Sequence, residues 1–245
     1  MKVDLFVTCL IDHFYPKVGE AVVHLLRRHG VEVEFPPEQT CCGQPWWNMG
    51  HLDEARDFAR HYMKTFARSE YIVMPSGSCA GHVRYFYPKM FPEGSDLWRE
   101  ACSVAERTYE FSEFMVKVLG VADVGACFPA TAVYHNSCHM ARELGAGDEP
   151  LAMLRAVADL ELVAMPRADL CCGFGGGFSV KMPEISTAMA DEKLHYIAAT
   201  GADVLVSCDV GCLMHLGGRM EKTGMPVRPM HLAELLWEGV QNHDR

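Results

Sequence analysis

The sequence predicts an α/β protein built from two tandem Rossmann-like βαβ half-domains related by internal duplication. Three observations carry that prediction. Short apolar strands alternate with amphipathic helices along the 245 residues, the pattern of parallel βαβ units. The tripeptide Cys-Cys-Gly occurs twice, as TCCGQP (40–45) and LCCGFG (170–175). The cysteines around each copy also keep matched intervals. Cys9 to Cys41 is 32 residues and Cys138 to Cys171 is 33; Cys42 to Cys79 is 37 and Cys172 to Cys212 is 40. The extra glycines of GFGGG (173–177) account for the last excess, and duplication is the simplest explanation of the whole.

In the first half, VDLFVTC (3–9) reads as an apolar strand, and a helix follows that ends near Arg28, His29 and Gly30. VEVEF (31–35) is a second strand leading to the first Cys-Cys-Gly. Leu52, Ala55, Phe58, Ala59, Tyr62 and Phe66 recur at helical spacing. YIVM (71–74) is a third strand, running into Pro75-Ser76-Gly77-Ser78-Cys79. The second half repeats the order: strand TAVYH (131–135) before Cys138, a helix over 151–157, and strand LELVAM (160–165) before the second Cys-Cys-Gly. A helix over 183–199 then feeds strand DVLVS (203–207), which ends at Cys208 and Cys212. A last strand (227–230) and helix (231–239) close the chain. Residues 91–130 hold a helix over 105–119 and a connector with Gly and Pro, so the half-domains are expected at 1–125 and 126–245.

Composition narrows the function. With 22 basic and 32 acidic residues the net charge is −10, which argues against a phosphate-binding nucleic-acid surface. No apolar run approaches the ~18–20 residues of a membrane span. The stretch MKVDLFVTCL reads as a buried strand rather than a signal peptide, because Asp4 interrupts a short apolar run. A cytoplasmic protein is the expectation, and there eleven cysteines mean metal, redox chemistry or core packing.

Each cysteine set follows the carboxyl end of a strand, where functional groups gather in open α/β sheets. Four thiolates from three loops suit an iron–sulfur cluster. Adjacent cysteines diverge, so the members of each pair reach different atoms, and the following glycine lets the backbone turn tightly. Helices starting at Cys79 and Cys212 would present N–H groups to an anionic group. Structural zinc remains an alternative, though such sites favour short-spaced ligand pairs. Cys102 and Cys127 have no partner in the repeat and read as buried structural residues; Cys208 aligns with Pro75 and is a possible fifth ligand or a resolving thiol.

Other residues near the cysteines are candidates for catalysis. His82 and His215 each lie three residues beyond a cysteine and match across the repeat. Arg84 and Arg142 are candidates to hold a substrate carboxylate. His135 and His139 have helical metal-binding spacing, but they straddle a strand end, which removes the geometric reason. GFGGGF (173–178) has neither the strand-linked Gly-x-Gly-x-x-Gly pattern nor a Walker lysine, and no flavin or nicotinamide motif is found.

The stretches FVTCLIDHFYP (6–16), TCCGQP (40–45), PSGSCAGHVR (75–84), HNSCHMARELG (135–145), LCCGFGGGFSVK (170–181) and GCLMHLGG (211–218) together resemble the cysteine-rich (CCG) domain family. That family occurs as a tandem pair in heterodisulfide reductases and in iron–sulfur subunits of glycolate oxidase and related dehydrogenases. The resemblance covers essentially the whole chain. It implies an iron–sulfur component of a three-protein system oxidising L-lactate to pyruvate, with electron transfer as its role. The implied partners are a larger ferredoxin-like iron–sulfur subunit and a third small subunit. The cofactor expected is a 4Fe–4S cluster, one per half, held by Cys9, Cys41, Cys42 and Cys79 and by Cys138, Cys171, Cys172 and Cys212. One departure bears on the chemistry. The heterodisulfide reductase domain ends in Cys-x-x-Cys, whereas Ser76 and Asp209 stand three residues before Cys79 and Cys212 here. That counts against the alternative of a thiol–disulfide reductase; a zinc-bound scaffold is the other alternative.

Overall fold

The computed structural model describes residues 1–243, which form two four-stranded parallel sheets flanked by helices. The first sheet contains β1 (Lys2–Leu5), β2 (Glu32–Glu34), β3 (Ile72–Met74) and β4 (Thr108–Glu110), in the order β2-β1-β3-β4. The second contains β5 (Cys127–Tyr134), β6 (Ala158–Val163), β7 (Val204–Ser207) and β8 (Arg228–His231), in the order β6-β5-β7-β8. The same order and parallel sense twice over is the duplication read from the cysteines. Residues 119–126, which carry no helix or strand beyond an isolated bend, join the two.

Burial explains which segments took which form. The central strands β3 (IVM) and β7 (VLVS) are buried along their whole length, as strands covered on both faces must be. The edge strand β2 (EVE) leaves Glu32 and Glu34 exposed, and charge on an edge blunts unwanted pairing. Helix Pro16–Arg28 begins with proline at its first turn and turns Val18, Ala21, Val22, Leu25 and Leu26 inward. No helix among the described residues is long and apolar enough to cross a membrane.

The connector departs from expectation, and the strand expected over 3–9 ends at Leu5, with Cys9 opening a helix. The helix expected over 105–119 is interrupted: helix Asp96–Arg107 stops, β4 pairs with β3 (Ile72↔Thr108, Met74↔Glu110), and helical turns resume over 111–118. Thr108 and Glu110 are buried although polar, so the three-residue strand has no apolar signature. Glu110 ends β4 and caps the next helical turn, its Oε2 accepting from the Ser112 N–H at 2.7 Å and from the Ser112 hydroxyl. Its counterpart His231 ends β8 and does the same job, Nδ1 accepting from the Ala233 N–H at 3.1 Å.

The buried Glu110 has a measurable consequence. Desolvation pushes its carboxyl up to about 8, although the bonds from Ser112 and Glu113 oppose the shift. The folded state therefore holds this proton while the unfolded chain, titrating near the ordinary Glu value, has released it. Stability contributed here is present at low pH and falls as pH rises from about 4.5 towards 8. Glu110→Gln is expected to flatten that decline; urea titrations from pH 5 to 8 that show equal slopes for both proteins would refute it.

The two sheets meet through reciprocal contacts. Helix Gly77–Gly81 of the first half packs on helix Cys138–Arg142 of the second, and helix Cys9–Phe14 packs on helix Val210–Thr223. Ile11, Val18 and Val210 form a small core at the second contact. Backbone bonds tie the same region: the Gly77 N–H donates to the Cys208 carbonyl at 3.2 Å, and the Ser78 N–H to Asp209 Oδ2 at 2.8 Å. Helix Leu232–His243 lies on helix Pro16–Arg28, joining Leu25 and Leu26 to Leu232 and Leu236 in one shared core. The carboxyl ends of both sheets consequently face each other.

Candidate cysteine-lined metal centre

Strand ends and helix starts deliver the cysteines. Cys9 and Cys138 follow β1 and β5 and open short helices. Cys79 and Cys212 are the third residues of helices Gly77–Gly81 and Val210–Thr223, not the first as the sequence suggests. The residues standing in place of the extra cysteine act as caps: Ser76 Oγ accepts from the Cys79 N–H at 3.3 Å, and Asp209 Oδ1 from the Gly211 N–H at 3.1 Å. Each Cys-Cys-Gly loop turns through a left-handed glycine, φ +84° at Gly43 and +90° at Gly173. These glycines donate their N–H to Sγ of Cys41 and Cys171, both at 3.4 Å.

The adjacent cysteines each find a second partner, on different elements. Cys41 Sγ lies 3.8 Å from Cys9 Sγ, while Cys42 Sγ lies 3.4 Å from Cys79 Sγ. In the second half Cys172 Sγ is 3.1 Å from Cys212 Sγ. Hydrogen bonds from neighbouring thiols hold Cys41 low, at about 3, with Cys42 contributing more than Cys9. Cys171 is held at about 2, through Cys138 and then Cys172. The donors show the reverse: Cys9 and Cys138 are pushed far up by those same bonds, and Cys42 is raised likewise. Each half thus favours a thiolate at the first cysteine of its Cys-Cys pair, and metal uptake releases the protons of thiols such as Cys9 and Cys138.

All eight cysteines line one cavity of about 190 Å³ between the halves. The sequence places each set at the edge of its own half-domain, and the packing of the halves makes those edges one space. Thr8, Gln44, Asn48, His139 and Asp209 are among its polar lining residues. Met49, beyond the first Cys-Cys-Gly, lies against Gly177 beyond the second, bringing the two loop regions together.

Other predicted residues lie elsewhere. His82 is fully buried among Trp47, Phe86 and Tyr87, and desolvation holds its imidazole at about 3. His215 Nε2 bonds the Ser186 hydroxyl at 3.1 Å. Arg84 is paired with the buried Glu113 at 2.6 Å, and Arg142 Nη2 contacts the Asp169 carbonyl at 3.5 Å. None of these four lines the cavity. Cys208 is buried beside Tyr134, whose hydroxyl donates to its Sγ at 3.7 Å, and is also outside the cavity lining. Cys102 and Cys127 are half-buried rather than buried, and Cys127 Sγ contacts Asp159 at 3.3 Å.

Three further residues lie near the cysteines: His135 and His139, which the sequence reading sets aside, and Lys193, which it does not single out. His139 lines the cavity, with Nδ1 3.5 Å from Cys138 Sγ. A ring nitrogen of His135 lies within 4.8 Å of Cys172 Sγ and Cys212 Sγ. The two histidines do straddle a strand end, but each reaches the thiols separately. Lys193, fully buried behind the second set, sits on the apolar face of helix Pro183–Thr200 with Ala190, Leu194 and Ile197. A lysine at core spacing was the signal for it.

The donor chemistry fits an iron–sulfur group. Each half offers four sulfurs from three loops, one already a thiolate, with a backbone N–H donating to that sulfur.

A family model described as the CCG cysteine-rich domain matches residues 3–84 and again 132–217. A protein of Geobacillus thermodenitrificans named lactate utilization protein A is 51% identical over 96% of this chain and 98% of its own. One of the same name from Halalkalibacterium halodurans is 50% identical over 96% of each chain. Lactate utilization protein A 2 of Bacillus cereus is 47% identical over 98% of this chain and 99% of its own.

Proposed function

The chain belongs to the cysteine-rich (CCG) domain family, and on that premise we propose that it is an iron–sulfur component of a system oxidising L-lactate to pyruvate, acting in electron transfer. Its half-domains, 1–125 and 126–245, hold one cluster each, 4Fe–4S in type. Cys9, Cys41, Cys42 and Cys79 hold the first; Cys138, Cys171, Cys172 and Cys212 hold the second. The observation that carries this is the convergence of both sets on one cavity.

Bound clusters supply one-electron redox chemistry. The chain's own contribution is to fix the sulfurs on strand ends, to donate N–H groups to them from Gly43 and Gly173, and to shelter them between the halves. Lactate oxidation yields two electrons, and two sites sharing a cavity suit their passage one at a time. The cavity lining also favours a relay over a lactate site. Its acidic side chain is Asp209, and cluster sulfur brings further negative charge, so an anionic 2-hydroxy acid is repelled. We assign oxidation of lactate itself to a partner, with a larger ferredoxin-like iron–sulfur subunit and a third small subunit completing a cytoplasmic complex.

Anaerobic purification followed by visible spectroscopy and assays of iron, sulfide and zinc tests this. The expected protein is brown, with matched iron and acid-labile sulfide. A colourless protein that takes up zinc but no iron after reconstitution would overturn the reading.

A further inference from the structure

The halves put different side chains at equivalent positions behind their cysteines. Three residues before Cys9 stands Phe6; three before Cys138 stands His135. A second correspondence comes from the Cys-Cys-Gly glycines. Gly43 lies against Phe58 and the Ala55 carbonyl, Gly173 against Met189 and the Ser186 carbonyl. That register sets Tyr62 opposite Lys193. In the first half Phe6 and Tyr62 form an aromatic pair, ring centroids 5.2 Å apart. In the second, the pair has become histidine and lysine, both fully buried.

Neither replacement is idle. Lys193 Nζ donates to the carbonyls of Ala168 and Leu170 at 3.0 Å each and of Arg167 at 3.4 Å, the loop leading directly into Cys171. Burial lowers its ammonium to about 8, opposed by Cys172 and Cys212, so it remains a cation at neutral pH. Both ring nitrogens of His135 are buried without a hydrogen-bond partner among the described residues, and one lies within 4.8 Å of the sulfurs of Cys172 and Cys212. A neutral imidazole has one N–H to give.

We infer that the second-half site is the more easily reduced of the two, and that Lys193 and His135 are the positioning residues that make it so. The inference rests on the reading that each cysteine set holds a cluster. One-electron reduction adds one negative charge to such a group. A buried cation and a nitrogen donor facing its sulfur ligands stabilise the reduced form, while the aromatic pair of the first half does neither.

Redox titration of the anaerobically purified protein, followed by electron paramagnetic resonance, tests it. Two one-electron midpoints are expected. Lys193→Met is expected to lower the reduction constant of the higher one at least tenfold, about 59 mV for one electron, and leave the lower one in place. His135→Phe, the first half's residue, shifts the same midpoint in the same direction, and Lys193→Arg restores the wild-type value. Unmoved midpoints, a single shared midpoint, or movement of the lower one overturns the inference. If Lys193→Met does not retain iron, the order of the potentials decides: Cys171→Ser must keep only the lower midpoint and Cys41→Ser only the higher. The reverse order overturns the inference with the clusters intact. Absence of iron and sulfide from every preparation instead removes the proposed function itself.

Discussion

In Cys171→Ser protein, iron and sulfide are expected to fall to about half of the wild-type content, with the first-half set still loaded. Cys171 is the position where the second half already keeps a thiolate, held at about 2 by thiol donors on either side. Serine puts a far weaker acid there and leaves the Gly173 N–H without its sulfur acceptor. Because metal-binding energy is also folding energy, the loss is expected to lower the unfolding temperature as well. Cys41→Ser mirrors the experiment in the first half. Iron, sulfide and thermal unfolding are the readouts. Full iron retention in Cys171→Ser would remove that residue from the ligand set, and loss of all iron from either variant would mean one joint site rather than two.

Gly173→Ala is expected to cost about 2–4 kcal/mol, through backbone strain plus overpacking. Its φ of +90° is one that side chains rarely adopt, and a Cβ there would lie 2.7 Å from the Ser186 carbonyl oxygen and 2.9 Å from Met189 Cβ. Neither neighbour can swing away, since Ser186 is helix backbone. The loop must then move, carrying Cys171 and Cys172 with it, so bound iron is expected to fall together with stability. Gly201→Ala is the control: φ is +68° but nothing lies near the new methyl group, and a cost of about 1 kcal/mol is expected. Equal losses in the two variants, measured by denaturant titration, would refute the close-approach argument.

The repeat was legible because it is written in local signals. Buried apolar strands, helical spacing and cysteines at strand ends all recur at matched intervals, and the structure has the same strand order twice. Strand β4 was not legible, because Thr108 and Glu110 present polar side chains at buried positions. The thiols were legible one by one, whereas their meeting in a single cavity depends on how helix Gly77–Gly81 lies on helix Cys138–Arg142. No local pattern encodes that contact. Matching His82 with His215 by position was sound as alignment, yet one is packed among aromatic rings and the other bonds Ser186. The spacing of His135 and His139 says nothing useful about them as a pair, although each approaches sulfur by itself.

The reciprocal packing of the halves is that of an isologous dimer, in which patch i meets patch j and j meets i. Here the two copies are joined by residues 119–126. In a symmetric dimer every substitution appears twice, so both centres stay identical whatever residues surround them. Fusion removes that constraint. A difference such as histidine at 135 against phenylalanine at 6, or lysine at 193 against tyrosine at 62, is then written on one side only. A covalent linker thus lets the two sides of a symmetric pair become different.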